Sequence, residues 1–139
     1  MRAKEYLREL RNLDVEVAAL RDQIRLLEQE AEGVKGMRYT RTPKGGKPRD
    51  TADVLAEIAD LKTIYTRHID QLTEKRKAAM AAIAGIERTE LRSVLIMRYL
   101  LGRSWQEIAR ELNYSKSSIL RLHGDALRAF SECWDFLRP

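Results

Sequence analysis

Apolar residues recur through the first part of the chain with spacings of 4, 3, 4, 3, 4, 3 and 4: Tyr6, Leu10, Leu13, Val17, Leu20, Ile24, Leu27 and Ala31. Spacing of this kind predicts a long helix with a narrow apolar seam of the coiled-coil type. Arg, Glu and Asp fill the flanks, where they stay in water or pair along the helix. A helix lying on a globular core would show a wider apolar face. A second stripe runs through Val54, Ile58, Leu61, Tyr65, Ile69 and Leu72, then Ala79, Ile83 and Ile86. It predicts a second long helix, capped at its start by Asp50 or Thr51, with a polar interruption at Thr73–Lys77. Between the two lie residues 32–50, where four glycines and two prolines predict a loop. The two helices can fold back as an antiparallel hairpin, pair between chains, or do both, and the pattern leaves these open.

Beyond Ile86 the pattern shortens. Thr89 is a candidate cap for a helix carrying Leu91, Val94, Leu95, Met97 or Arg98, and Leu101 on its inner face. Gly102 supplies a left-handed stop. Ser104 followed by Glu107 reads as a capping box, in which serine and glutamate each satisfy a backbone amide at the helix start. The helix it opens, Trp105 to Leu112, would bury Ile108, Ala109 and Leu112, with Ala109 small enough for a neighbouring helix to cross closely. Asn113 tolerates the left-handed conformation and closes the helix. Ser115 caps the next, which turns Ile119, Leu122, Ala126, Leu127 and Phe130 inward. The expected fold is all-α. Two long coiled-coil or hairpin helices (1–87, with the loop at 32–50) precede a three-helix unit (88–139) built around a helix-turn-helix.

In a helix-turn-helix the second helix can lie in a major groove, with its first residues facing base edges. The outward positions there are Lys116, Ser117, Leu120 and Arg121, while Ser118 and the Ser115 amide stand where a phosphate approaches a helix start. Arg121 is the better candidate for base reading, because its fork can bond both guanine acceptors. The net charge of +5 fits this picture. The surplus sits in residues 32–50, with six basic residues against two acidic, and in 88–139, with nine against six. Uneven basic charge points to a polyanionic partner.

Other chemistry is sparse. The single cysteine, Cys133, permits neither an internal disulfide nor a zinc cluster, and is expected to be a small buried hydrophobe. His68 and His123 fall in separate helices without ligand-spaced neighbours. The "GGK" at 45–47 lacks both the spacing and the preceding strand of a phosphate-binding loop. Trp105 and Trp134 are expected as core anchors. A non-enzyme with no cofactor or metal is expected. No apolar run reaches the roughly 20 residues of a membrane span, and no apolar secretory block opens the chain. A soluble, cytoplasmic protein without membrane contact is expected.

The stretch "LRSVLIMRYLLGRSWQEIARELNYSKSSILRLHGDALRAF" resembles the region-4 helix-turn-helix of bacterial sigma factors, through "LIMRYLLGRSWQEIA", "LNYSKSSI" and "DALRAF". A helical first half followed by such a unit is also similar to the small ArpU-type phage regulators. The resemblance implies a phage or prophage transcriptional regulator that binds duplex DNA in the bacterial host cell. It implies that Lys116, Ser117, Ser118 and Arg121 face DNA and that Arg103, Tyr114 and Ser115 contact the backbone. Leu120 departs from the pattern, being apolar where many members are polar; it would meet a thymine methyl or pack on the N-terminal helices. No other sigma region is visible. A homodimer or higher homo-oligomer, joined through the heptad seam, would present two half-sites. The rival readings are a small terminase-type DNA-packaging protein, whose DNA unit usually comes first, and an adaptor that grips RNA polymerase without touching DNA.

Overall fold

The computed structural model describes residues 2–36 and 50–137, and every regular element among them is helical. Helix α1 spans Ala3–Gly36 and α2 spans Thr51–Ala84. Helix α3, Thr89–Leu95, runs directly into a π turn, Ile96–Leu100; α4 is Trp105–Leu112 and α5 is Lys116–Leu137. The chain forms two compact units, one of residues 16–70 and one of residues 1–15 together with 71–139, and both long helices run through both. These units cut across the boundary expected at 87/88.

In the unit of residues 16–70, Ile24 and Leu27 of α1 pack on Val54 and Ile58 of α2, and Ala31, Leu61 and Tyr65 close the cluster. Charges pair along its edges, with Lys62 Nζ 3.6 Å from Glu28 and His68 Nε2 3.0 Å from Glu16. Asp50 is the cap of α2, its Oδ1 accepting from the Ala52 amide at 3.2 Å. This is an antiparallel hairpin within one chain. The seam is covered within the chain: Ile24, Leu27 and Ala31 meet the second helix, Leu10, Leu13 and Val17 are also buried, and Tyr6 and Leu20 are half-buried. Helix α1 also runs five residues beyond Ala31, through Gly33, where a loop was expected; a glycine in a helix interior costs only about 1 kcal/mol. The remainder of the expected basic loop, residues 37–49, lies outside the described residues.

In the other unit the first turns of α1 widen their buried face. Leu7, which lies off the seam, is fully buried beside Leu10 and Ala3. The cause is a second neighbour, for the Tyr6 ring lies 4.2 Å from that of Trp134 on α5. The polar interruption of α2 is where it is tied to α1. Lys75 Nζ sits 4.5 Å above the Tyr6 ring and 3.5 Å from Glu9, and Arg76 donates to Asp14 at 2.8 Å. Helices α3 and α4 both pack on α5 around Val94, Ile108, Ala109 and Ile119, with Met97, Trp105, Leu112 and Leu122 against them. Each such aliphatic side chain contributes roughly 1.5–3 kcal/mol on burial.

Three local expectations are corrected. Thr89 does not cap α3; Arg88 occupies that position without a side-chain bond, and Thr89 Oγ1 accepts from Arg92 instead. Leu101 points outward, 55% exposed, and Tyr99 is buried in its place. The π turn is the reason: the Leu101 amide bonds back to Ile96, five residues away, and the extra residue per turn rotates the inner face. Cys133 is half-buried.

Because Leu7 fills a site that the seam alone does not require, Leu7→Ala should cost about 2–5 kcal/mol. Val15→Ala, on an exposed position of the same helix, should change stability by less than about 0.5 kcal/mol. Urea unfolding followed by far-ultraviolet circular dichroism measures both, and equal midpoints would show that the widened face contributes nothing.

Candidate functional site

The site expected at the start of α5 is set by two left-handed residues and two serines. Gly102, at φ +68°, ends the π turn, and the Arg103 amide closes it by donating to the Met97 carbonyl at 2.9 Å. The Ser104 hydroxyl accepts from the Glu107 amide at 3.2 Å while the Glu107 carboxylate accepts from the Ser104 amide at 3.1 Å. These bonds hold the Glu107 carboxyl below its ordinary pKa, the Ser104 backbone contact being the larger cause. Asn113, at φ 62°, terminates α4, and the Tyr114 amide donates back to the Ala109 carbonyl at 2.9 Å. Ser115 then starts α5: its Oγ accepts from the Ser118 amide at 3.1 Å and donates to Ser118 Oγ at 2.9 Å. The result is a short helix, a three-residue turn and a long helix, the local form of a helix-turn-helix.

Ser115, Lys116, Ser117, Leu120 and Arg121 are exposed, and Ser118 is half-buried. Lys116 and Arg121 make no hydrogen bond or ion pair among the described residues, so both cations are available. The Lys116 and Ser117 amides likewise have no acceptor among the described residues, whereas the Ser118 amide is taken by Ser115. Leu120 is 45% and Tyr114 41% exposed. Arg103 is arranged differently. Its guanidinium is paired with Glu111 across α4, and its carbonyl accepts from Arg98 Nη1 at 3.1 Å. Of the expected backbone-contacting residues, Arg103 is engaged by Glu111 and Ser115 by Ser118.

Behind this surface lies a cluster that the sequence did not announce. The Tyr99 hydroxyl and His123 Nε2 are 2.7 Å apart. The Trp105 ring meets the His123 ring edge-on, 4.6 Å between centroids, and the Arg98 guanidinium lies 4.2 Å over the other part of this cluster, the Trp105 ring. Burial, followed by the fields of Arg98 and Lys4, pushes His123 down to about 4. A ring held neutral in this way shares a hydrogen bond with the Tyr99 hydroxyl and joins the end of the π turn to α5. Burial raises Tyr99 from its ordinary value, against the opposing fields of Arg98, Arg8 and Arg11. Trp105 thus anchors a core, as expected, and so does Trp134, 5.6 Å from Phe130. Two signals pointed faintly to the cluster: the histidine on the inner side of α5 and the tryptophan beside the cap.

Among the described residues no three His, Cys, Asp or Glu side chains stand close enough to hold a metal ion, and no helix is long and apolar enough to cross a membrane.

His123 makes stability depend on pH. Its folded value of about 4 lies below the ordinary 6.5, so between these limits the unfolded chain binds the extra proton. Stability is therefore full above about pH 6.5 and falls as pH drops toward 4. Denaturation midpoints at pH 7 and pH 5 should differ in that direction for the wild type and differ less for His123→Gln. An equal pH response in both proteins would place the ring outside the coupling.

No curated protein and no solved structure matches the chain. Residues 35–131, which contain the second half of the hairpin and nearly all of the helix-turn-helix unit, match the family of proteins of unknown function DUF1492, and the chain belongs to that family.

Proposed function

We propose that this chain is a sequence-specific DNA-binding regulator of transcription, of phage or prophage origin and similar in design to sigma region 4, with α5 as its recognition helix. The observation that carries the reading is the exposed start of α5. There Lys116, Ser117, Leu120 and Arg121 share one face, and both cations lack an ion pair among the described residues. A cation that a fold exposes and leaves unpaired is available to a phosphate or a base edge. Free amides of Lys116 and Ser117 at the helix start suit a phosphate. Leu120 offers an apolar contact to a thymine methyl. Gly124, one turn beyond Leu120, supports the same face: a methyl added there would meet nothing within 4 Å, so its own fold does not require a glycine. In this reading a DNA backbone passing close over that turn would account for the glycine.

Arg103 is withdrawn from the contact set in this reading, since Glu111 already holds it. Tyr114, Ser115 and Ser118 remain as backbone-side residues. A second copy, which would add a second half-site, has to use surfaces outside the buried seam; Leu26 and Leu55 are exposed apolar residues in the hairpin unit.

Selection of bound fragments from a phage-bearing genome, followed by anisotropy titration, tests the reading. Arg121→Ala should cost about 1–3 kcal/mol on the selected site and relax the sequence preference at one position. Lys116→Ala should weaken all sequences alike and reduce the salt slope by about one. If Arg121→Ala binds as tightly and as selectively as the wild type, α5 is not the reading helix. Gly124→Ala should raise the thermal stability of the free protein, by about 1 kcal/mol, and weaken binding to DNA. A variant that is more stable and binds as well as the wild type would move the DNA backbone away from that turn.

A further inference from the structure

Helix α1 carries a basic ridge on one flank. Lys4, Arg8 and Arg11 follow at i, i+4 and i+7, beside the buried face of Ala3, Leu7 and Leu10, while Glu9 and Asp14 are engaged by α2. Folding brings to this ridge a fourth cation, Arg98 of the π turn. Desolvation, and then the charge of Arg11, lowers the pKa of Arg98, and the fields of Lys4, Arg8 and Arg11 reach the Tyr99 and His123 rings beside it. None of Lys4, Arg8, Arg11 and Arg98 forms an ion pair among the described residues. In addition, Arg11 Nε is buried without a hydrogen-bond acceptor among the described residues. Four like charges gathered from two distant parts of a chain repel one another, and a donor left without an acceptor is costly. An anion seated among the four cations relieves their repulsion.

We propose that Lys4, Arg8, Arg11 and Arg98 form a second phosphate-contact surface for duplex DNA, beside the helix-turn-helix and outside it. The inference rests on the DNA-binding reading above and adds α1 to it. Three of the four cations are arginines, whose planar forks match phosphate oxygens. Arg98 stacks on Trp105, the first residue of α4, and the first helix of a helix-turn-helix is the one that crosses the DNA backbone. The ridge bears one exposed apolar residue, Val15, too little for the apolar centre of a protein interface.

The test uses the full chain and a labelled duplex carrying its selected site, titrated between low and moderate salt. Lys4→Gln/Arg8→Gln removes two exposed cations and leaves the half-buried Arg11 in place. Arg25→Gln/Arg67→Gln removes the same charge from the hairpin unit. Each phosphate contact contributes about 0.9 to the slope of log affinity against log salt. The ridge variant should therefore show a slope shallower by about two and an affinity at least tenfold lower, with sequence preference and melting temperature unchanged. The control should bind as the wild type does. The inference is overturned if the ridge variant keeps the wild-type slope, if the control loses as much, or if the ridge variant loses only the ability to bind polyglutamate, which would assign the surface to an acidic protein. Failure of the ridge alone shows as an unchanged ridge variant beside an Arg121→Ala variant that loses selectivity. If the wild type binds no duplex at any salt, the recognition-helix reading falls, and the ridge proposal falls with it.

Discussion

An apolar seam can be buried only once, and in this chain α1 buries its seam against α2. The rest of the structure depends on that choice. With Leu10, Leu13, Val17, Ile24 and Leu27 committed to a partner in the same chain, the first turns of α1 become one wall of the unit that holds the helix-turn-helix. Leu7 and Tyr6 then take up α5, and the flank bearing Lys4, Arg8 and Arg11 is left for Arg98. A heptad pattern is commonly read as an invitation to a second copy. Here the same spacing supports an intramolecular hairpin, because 4-3 spacing specifies a narrow stripe and says nothing of which chain covers it.

What the sequence made legible were the features governed by local chemistry. The capping box of Ser104 and Glu107, the left-handed stops at Gly102 and Asn113, and the cap at Ser115 each need only a few neighbouring residues, and each is present. The two long stripes were legible for the same reason. Features that depend on a distant partner were not. Leu7 reads as a flank residue until α5 is placed beside α1. Leu101 reads as an inner residue until the ladder slips by one at the π turn, an event with no local residue code. The pairing of Arg103 with Glu111, eight residues away, likewise has no signal in the sequence until α4 is folded. The polar interruption at Thr73–Lys77 looked like a defect in a stripe, and is instead where Lys75 and Arg76 cross to Glu9 and Asp14.

The cluster of Tyr99, His123, Trp105 and Arg98 shows why the exposed start of α5 is positioned as it is. A recognition surface has to be held from behind, since the residues that face a ligand cannot also hold each other. In this unit the apolar core fixes the crossing of α4 on α5, through Ala109 and Ile119, but an apolar contact alone permits sliding along the helix axis. The 2.7 Å bond between Tyr99 and His123 does not, because its length and direction are narrow. His123 lies two residues from Arg121 and so on the other side of the helix, and the bond locks the register of α5 while leaving the outward face untouched. Burial keeps His123 neutral, and a neutral ring is what tolerates Arg98 and Lys4 nearby. A protonated His123 would add a fifth positive charge to the Lys4, Arg8, Arg11 and Arg98 group. The positive field and the fixed register are therefore one arrangement: the ring is kept uncharged by burial and by the very cations that give the surface its sign.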